Sequence, residues 1–250
     1  IGGGRIARIL LGCWTRAQKL PANITVSDPS AETLAKLKAQ FPTVATTPHS
    51  AVAAAQDIVF LAVHPPAVND AAAAIKGALK WGAVVVSLAP KFTVAKLSEL
   101  LGGFARIARV IPNAPSLIGQ GYNPVCFGPA LSATDRAEVQ ALLAPLGECP
   151  EVEEEKLEAY AILSAMGPTY LWFQLQALRE VAAGIGLSDA EIAPALKRMV
   201  CGGTRTLVES GLTPAEVMDL IPVKPLAEME AQVTEVYRTR LPALFQKIKP

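Results

Sequence analysis

The rhythm of the first 150 residues constrains the fold most, because strand-length apolar runs alternate there with helical patterns. Such alternation is the signature of a parallel sheet wound by helices. After Ile1, a helix is predicted over Arg5 to Lys19, a strand over Ile24 to Ser27, and a helix over Ala31 to Gln40, closed before Pro42. Val44 to Thr46 reads as a short strand and Ser50 to Gln56 as a helix. Ile58 to Val63 is a buried strand ended by His64-Pro65-Pro66, since consecutive prolines cannot continue a central ladder. Helices over Ala67 to Lys80 and Val94 to Leu101 then alternate with strands over Ala83 to Ser87 and Ala105 to Ile111. A strand is also expected just ahead of the first helix; Ile1 would be its last part, and no signal peptide is visible.

From Lys156 onward the pattern becomes helical throughout. Leu157 to Ile185 keeps helical periodicity, broken mainly at Gly167-Pro168, and Ala190 to Ser210 forms a second helix. Thr213 caps a third, with Pro214 at its first position, and Leu226 to Lys247 makes a fourth. The exposed acidic run Glu151 to Glu155 marks the boundary, giving a Rossmann-type, doubly wound α/β domain over 1–152 and an all-helical domain over 153–250. Long apolar helices outside the main sheet predict pairing with a second copy, a homodimer or higher homo-oligomer.

Composition excludes several classes. A net charge of +1 with interspersed signs leaves no basic stripe for nucleic acid. The apolar runs are too short to span a bilayer. Cys13, Cys126, Cys149 and Cys201 lack metal spacing and read as free thiols of a reducing cytoplasm. With His49 and His64 as the only histidines, a zinc site or a Ser-His-Asp triad has few possible members, and no metal is expected.

Chemistry concentrates where strands end. In Gly2-Gly3-Gly4-Arg5-Ile6-Ala7, Gly2 allows a tight turn, Gly4 lets backbone approach a pyrophosphate, and Ala7 lets the helix sit close to the strand. The helix N-terminus adds amide donors for phosphate; the rival reading is a glycine-rich turn with no ligand. Asp28 closes the next strand, where an acid accepts the ribose hydroxyls of NAD and repels a 2′-phosphate. It can equally cap the following helix. No arginine follows closely to favour NADP, and Ser30 suits either ribose form. Ala62-Val63-His64-Pro65 lies at the carboxyl edge, where His64 is either a cofactor neighbour or a solvated loop residue. Pro112-Asn113-Ala114-Pro115 holds the Asn113 amide between prolines, either to bond the nicotinamide carboxamide or substrate, or as a rigid interdomain turn.

These motifs, taken in order, resemble the pyrroline-5-carboxylate reductase family. Thr47-Pro48-His49-Ser50, Leu61-Ala62-Val63-His64-Pro65, Arg109-Val110-Ile111-Pro112-Asn113-Ala114-Pro115, Gly119-Gln120-Gly121 and Gly167-Pro168-Thr169-Tyr170 carry the likeness, which runs from Ile1 to about Glu235. The resemblance implies reduction of a cyclic imine such as 1-pyrroline-5-carboxylate, a step of proline biosynthesis, with NADP or NAD as cofactor, and pairing through the helical domain. It places Gly2, Gly4, Arg5, Ile6, Ser30, Ser50, Ala62 to Pro65, Ala89 and Asn113 along the cofactor, and Asn113, Gly167 and Pro168 near the substrate. Three departures stand out. His64 replaces the usual lysine, Ser50 replaces a common asparagine, and a Ser-Pro-Gly-Gly-Thr-Thr-like substrate loop is replaced by Asp219 to Glu228. Lys224 there is either a carboxylate partner or an ordinary exposed lysine.

No catalytic side chain is assigned, which suits hydride transfer to an already cationic imine. A β-hydroxyacid dehydrogenase also joins a Rossmann domain to helices, but it needs an early lysine on the first interdomain helix. Leu163 to Tyr170 contains none, and Tyr170 reads as a proton donor or as core. A reductase of another imine or keto substrate, and a non-catalytic cofactor-binding homologue, are the remaining alternatives.

Overall fold

The computed structural model describes residues 1–250, which form two compact units: 1–166 with 244–250, and 167–243. In the first unit, α1 (Arg5–Arg16), β1 (Thr25–Ser27), α2 (Ala31–Gln40), β2 (Ala45–Thr47), α3 (Ser50–Ala54) and β3 (Ile58–Leu61) follow one another. Then come α4 (Val68–Ile75), β4 (Val84–Ser87), α5 (Val94–Leu100) and β5 (Ile107–Val110). The expected alternation is therefore present. Helix α4 ends at Ile75, short of the Lys80 expected for it.

Sequence reading made no assignment between Ser116 and Pro150. That stretch holds β6 (Gly121–Tyr122), β7 (Val125–Phe127), α6 (Ala133–Leu143) and β8 (Gly147–Glu148). The main sheet has the order β3-β4-β5-β7, parallel except for the antiparallel β7. Strands β4 and β5 are buried at every residue, as expected of strands covered on both faces. Alternation sorts their side chains: Val84 and Val86 join the cluster with Leu10, Trp14 and Leu143, whereas Val85 joins Leu61, Ile75 and Leu97.

Strands β1 and β2 form a separate parallel pair. Ile1 and Gly2 lie between that pair and β3. The Ile1 amine donates to Phe60 O at 2.7 Å, Ala62 N donates to Ile1 O at 2.8 Å, and Gly2 N donates to Ser27 O at 2.7 Å. Beside this bridge a cavity of about 360 Å³ is lined by Leu10, Trp14, Val26, Ile58 and Phe60 among others.

The first unit continues through α7 (Leu157–Tyr160), past the boundary expected at 152/153. Leu157 and Ala161 are buried against Ile111 and Ile248, which ties this helix to the sheet unit. A π-helical turn over Ala161–Ala165 follows, with Met166 N donating to Ala161 O at 3.0 Å. The break in the long helical pattern therefore precedes Gly167-Pro168, and α8 (Gly167–Gly184) begins at that pair.

The second unit also holds α9 (Asp189–Glu209), α10 (Pro214–Asp219) and α11 (Ala227–Ile248), the last turn of which belongs to the first unit. Reciprocal capping boxes start α9 (Ser188 with Glu191) and α10 (Thr213 with Glu216). Many large apolar side chains of these helices are exposed, Trp172, Phe173, Val181, Ile185 and Val208 among them. No helix is long and apolar enough to cross a membrane, and no cluster of side chains has metal-ligand character.

Candidate cofactor site

Strands β1, β2, β3, β4 and β5 run parallel within their sheets, so each pairing brings carboxyl ends to one edge. That edge is where open α/β sheets bind ligands. The glycine turn leads directly from the Ile1–Gly2 bridge into α1. Gly2 has φ +98°, and a Cβ there would meet Ala62 O at 2.5 Å. Gly3 N donates to Asp28 Oδ2 at 2.9 Å.

Gly4 differs from both. It is the N-cap of α1 with φ −72°, and a Cβ built there would meet nothing within 4 Å. Folding therefore does not require glycine at this position. It offers no side-chain cap, and the first turn carries no acid. The orphan amides of that turn, at the positive end of the helix dipole, thus have no capping side chain and no first-turn acid to answer them. This is the geometry an anionic pyrophosphate fits. Arg5 is exposed and Ile6 half-buried on the same turn.

Asp28 has both carboxylate oxygens engaged by backbone, Oδ2 by Gly3 N and Oδ1 by Ser30 N at 2.9 Å. It ties the glycine turn to the β1–α2 loop. Ser30 in turn caps α2, its hydroxyl accepting from Thr33 N at 3.2 Å. Ser50 opens α3 and its Oγ accepts from the buried Ser27 Oγ at 3.4 Å. Ala62 and Val63 are half-buried beyond β3, and His64 is the exposed N-cap of a short 3₁₀ turn begun by Pro65. Ala89 is buried just past β4.

Asn113 is held, as its two prolines suggested, but mainly by partners the sequence did not reveal. Its backbone N donates to Asn123 Oδ1 at 3.1 Å, its Oδ1 accepts from Tyr122 N at 3.2 Å, and its Nδ2 donates to Ser164 O at 3.2 Å. One Nδ2 hydrogen remains for another acceptor. Ser116 Oγ completes the knot, donating to Asn123 Oδ1 at 2.7 Å. Gly121 allows it, since a Cβ there would fall 2.1 Å from Ser116 Oγ. Asn113→Leu leaves the Tyr122 amide and the Ser164 carbonyl without their partner, and should cost about 2–4 kcal/mol. A thermal melt checks this; a cost below about 0.5 kcal/mol would show that the knot is not structural.

The remaining expected residues lie in the second unit. Gly167 and Pro168 open α8, and Lys224 is exposed in the link before α11, its carbonyl accepting from Ala227 N. The acidic run 151–155 is not simply a solvated link. Glu151 pairs with Arg136 at 2.8 Å and Glu154 with Arg109 at 2.9 Å. Nothing in the local sequence marks these partners. The Cys126 thiol, next to Arg109 in the β5–β7 ladder, is pushed up to about 11, chiefly by burial.

A family model described as "NADP oxidoreductase coenzyme F420-dependent" matches residues 1–91. The pyrroline-5-carboxylate reductase of Corynebacterium melassecola is 30% identical over 220 residues, which cover 87% of this chain and 82% of that one. The chain belongs to the pyrroline-5-carboxylate reductase family. Solved structures of this reductase family extend the likeness over the full length. A Coxiella burnetii pyrroline-5-carboxylate reductase matches with TM-score 0.69 and 26% identity, covering 99% of this chain and 92% of that one. A Plasmodium falciparum pyrroline carboxylate reductase, solved with NADP bound, matches in fold with TM-score 0.82 at 21% identity, covering 99% and 95%.

Proposed function

We propose that the chain reduces the C=N bond of a cyclic imine, 1-pyrroline-5-carboxylate, with NADPH or NADH as reductant. The open, uncapped amide cradle at Gly4, in a chain of this reductase family, carries the reading. The chain is an NAD(P)-dependent oxidoreductase of the pyrroline-5-carboxylate reductase family. Gly2, Gly4, Arg5 and Ile6 hold the pyrophosphate; Asp28, Ser30 and Ser50 lie toward the adenine ribose. Ala62 to Pro65, Ala89 and Asn113 flank the nicotinamide, and Asn113, Gly167, Pro168 and Lys224 serve the substrate.

The cofactor supplies the hydride. The protein's own part is to hold the two reactants in register, and a protonated imine needs no general base. Residues 1–152 make the cofactor domain, and 153–250 the helical substrate and dimerisation domain of a cytoplasmic homodimer. The exposed Trp172, Phe173, Val181 and Ile185 support the pairing.

One observation favours a second reading, reduction of a different imine or keto compound. The stretch Ile221-Pro222-Val223-Lys224-Pro225-Leu226 is exposed and non-helical and has no glycine to bring amides to a carboxylate. Steady-state assays decide between the two. Turnover of 1-pyrroline-5-carboxylate with NADPH or NADH is expected. Calorimetric cofactor binding without turnover across a panel of imines would overturn the activity.

A further inference from the structure

We infer that Arg109, acting through Glu154 and Glu158, is a positioning residue that clamps the loop between β4 and α5 at the nicotinamide end of the site. The inference rests on the cofactor reading above. Arg109 is the charged residue in an otherwise apolar strand, 1% exposed, two residues before the Ile111-Pro112-Asn113 exit. Its Nη1 donates to Glu154 Oε1 at 2.9 Å and its Nη2 to Glu158 Oε1 at 2.5 Å.

The same two carboxylate oxygens reach across to the loop. Glu158 Oε1 accepts from Lys91 N at 3.1 Å, and Glu154 Oε1 accepts from Val94 N at 2.7 Å. Lys91 has φ +78°, a left-handed conformation that a residue with a side chain adopts only at a cost of about 1–2 kcal/mol. The carboxylates hold it there. The strained residue lies two positions beyond Ala89.

The helical stretch that supplies Glu158 also supplies the Ser164 carbonyl that receives Asn113 Nδ2. One segment, 157–165, therefore grips both the β4 and the β5 lips of the carboxyl edge. Its π turn is the kind of irregularity that marks functional segments. A buried ion pair is a poor stabiliser beside apolar packing, whereas it fixes geometry well.

The test uses Glu154→Ala, since Glu154 is the more exposed carboxylate at 25% and its loss leaves Glu158 paired with Arg109. Glu154→Gln, which keeps an acceptor for Val94 N, is the rescue variant. In Glu154→Ala, amide exchange of residues 88–94 should accelerate about tenfold or more while β1 and β2 stay protected. The value of kcat should fall about tenfold or more, with the NADPH dissociation constant within about threefold, because the rest of the dinucleotide is held elsewhere. Glu154→Gln should recover most of both. A lower melting temperature with kcat and loop exchange unchanged overturns the clamp. A wild-type chain that turns over no imine overturns the proposed function instead; the exchange readout then decides the clamp alone, and unchanged exchange at 88–94 overturns it.

Discussion

Replacing Gly4 by valine should weaken NADPH binding at least about a hundredfold, a loss of about 2.7 kcal/mol, while leaving the protein folded. The reason is the difference between the three glycines of one turn. At Gly4 the backbone angles suit any residue and a Cβ meets open space. The branched side chain would fill the volume where a pyrophosphate must approach the first-turn amides. The folding penalty is confined to a poorer N-cap residue, about 1 kcal/mol or less, which lowers the melting temperature by about 2–4 °C. Titration of cofactor fluorescence beside a thermal melt measures both. A valine variant that binds NADPH as tightly as the wild type would remove the glycine turn from the cofactor site.

Gly2→Ala should do the reverse, striking the fold first. The added methyl would sit 2.5 Å from Ala62 O, a backbone atom that cannot swing aside, at φ +98° where a side chain is strained in any case. The cost should reach about 3 kcal/mol or more. At about 2–4 °C per kcal/mol the melting temperature falls by roughly 10 °C. A variant melting within about 2 °C of the wild type would show that the turn relaxes freely and that its geometry does not hold the sheet.

Legibility of the fold followed the range of the interactions that specify it. Strands β3 and β4 stood out as apolar runs, β4 because burial on both faces demands one, and Thr213-Pro214 announced α10 because capping is local. The glycine turn and Asn113 were visible for the same reason. The 116–150 stretch was silent because its short strands and the Ser132–Asp135 capping box carry no strong periodicity. Long-range partners were hidden altogether. Asp28 engages amides on both sides of it, and Glu154 finds Arg109 forty-five residues away, where an acidic run alone suggested only solvent. The compact unit runs on to Met166 because Leu157 and Ala161 pack on Ile111, which no local feature of 151–155 records.

The Asp28 carboxylate, which ties the glycine turn to the β1–α2 loop, has a consequence for the protein's survival in a cell. Release of that carboxylate frees the turn and the loop together, a local opening that exposes backbone. A dinucleotide seated on the Gly4 turn binds only the closed turn and, at a hundred times its dissociation constant, adds about 2.7 kcal/mol against opening. Proteolytic lifetime is then expected to rise with occupancy by the dinucleotide, oxidised or reduced, because the pyrophosphate the turn would hold is common to both forms.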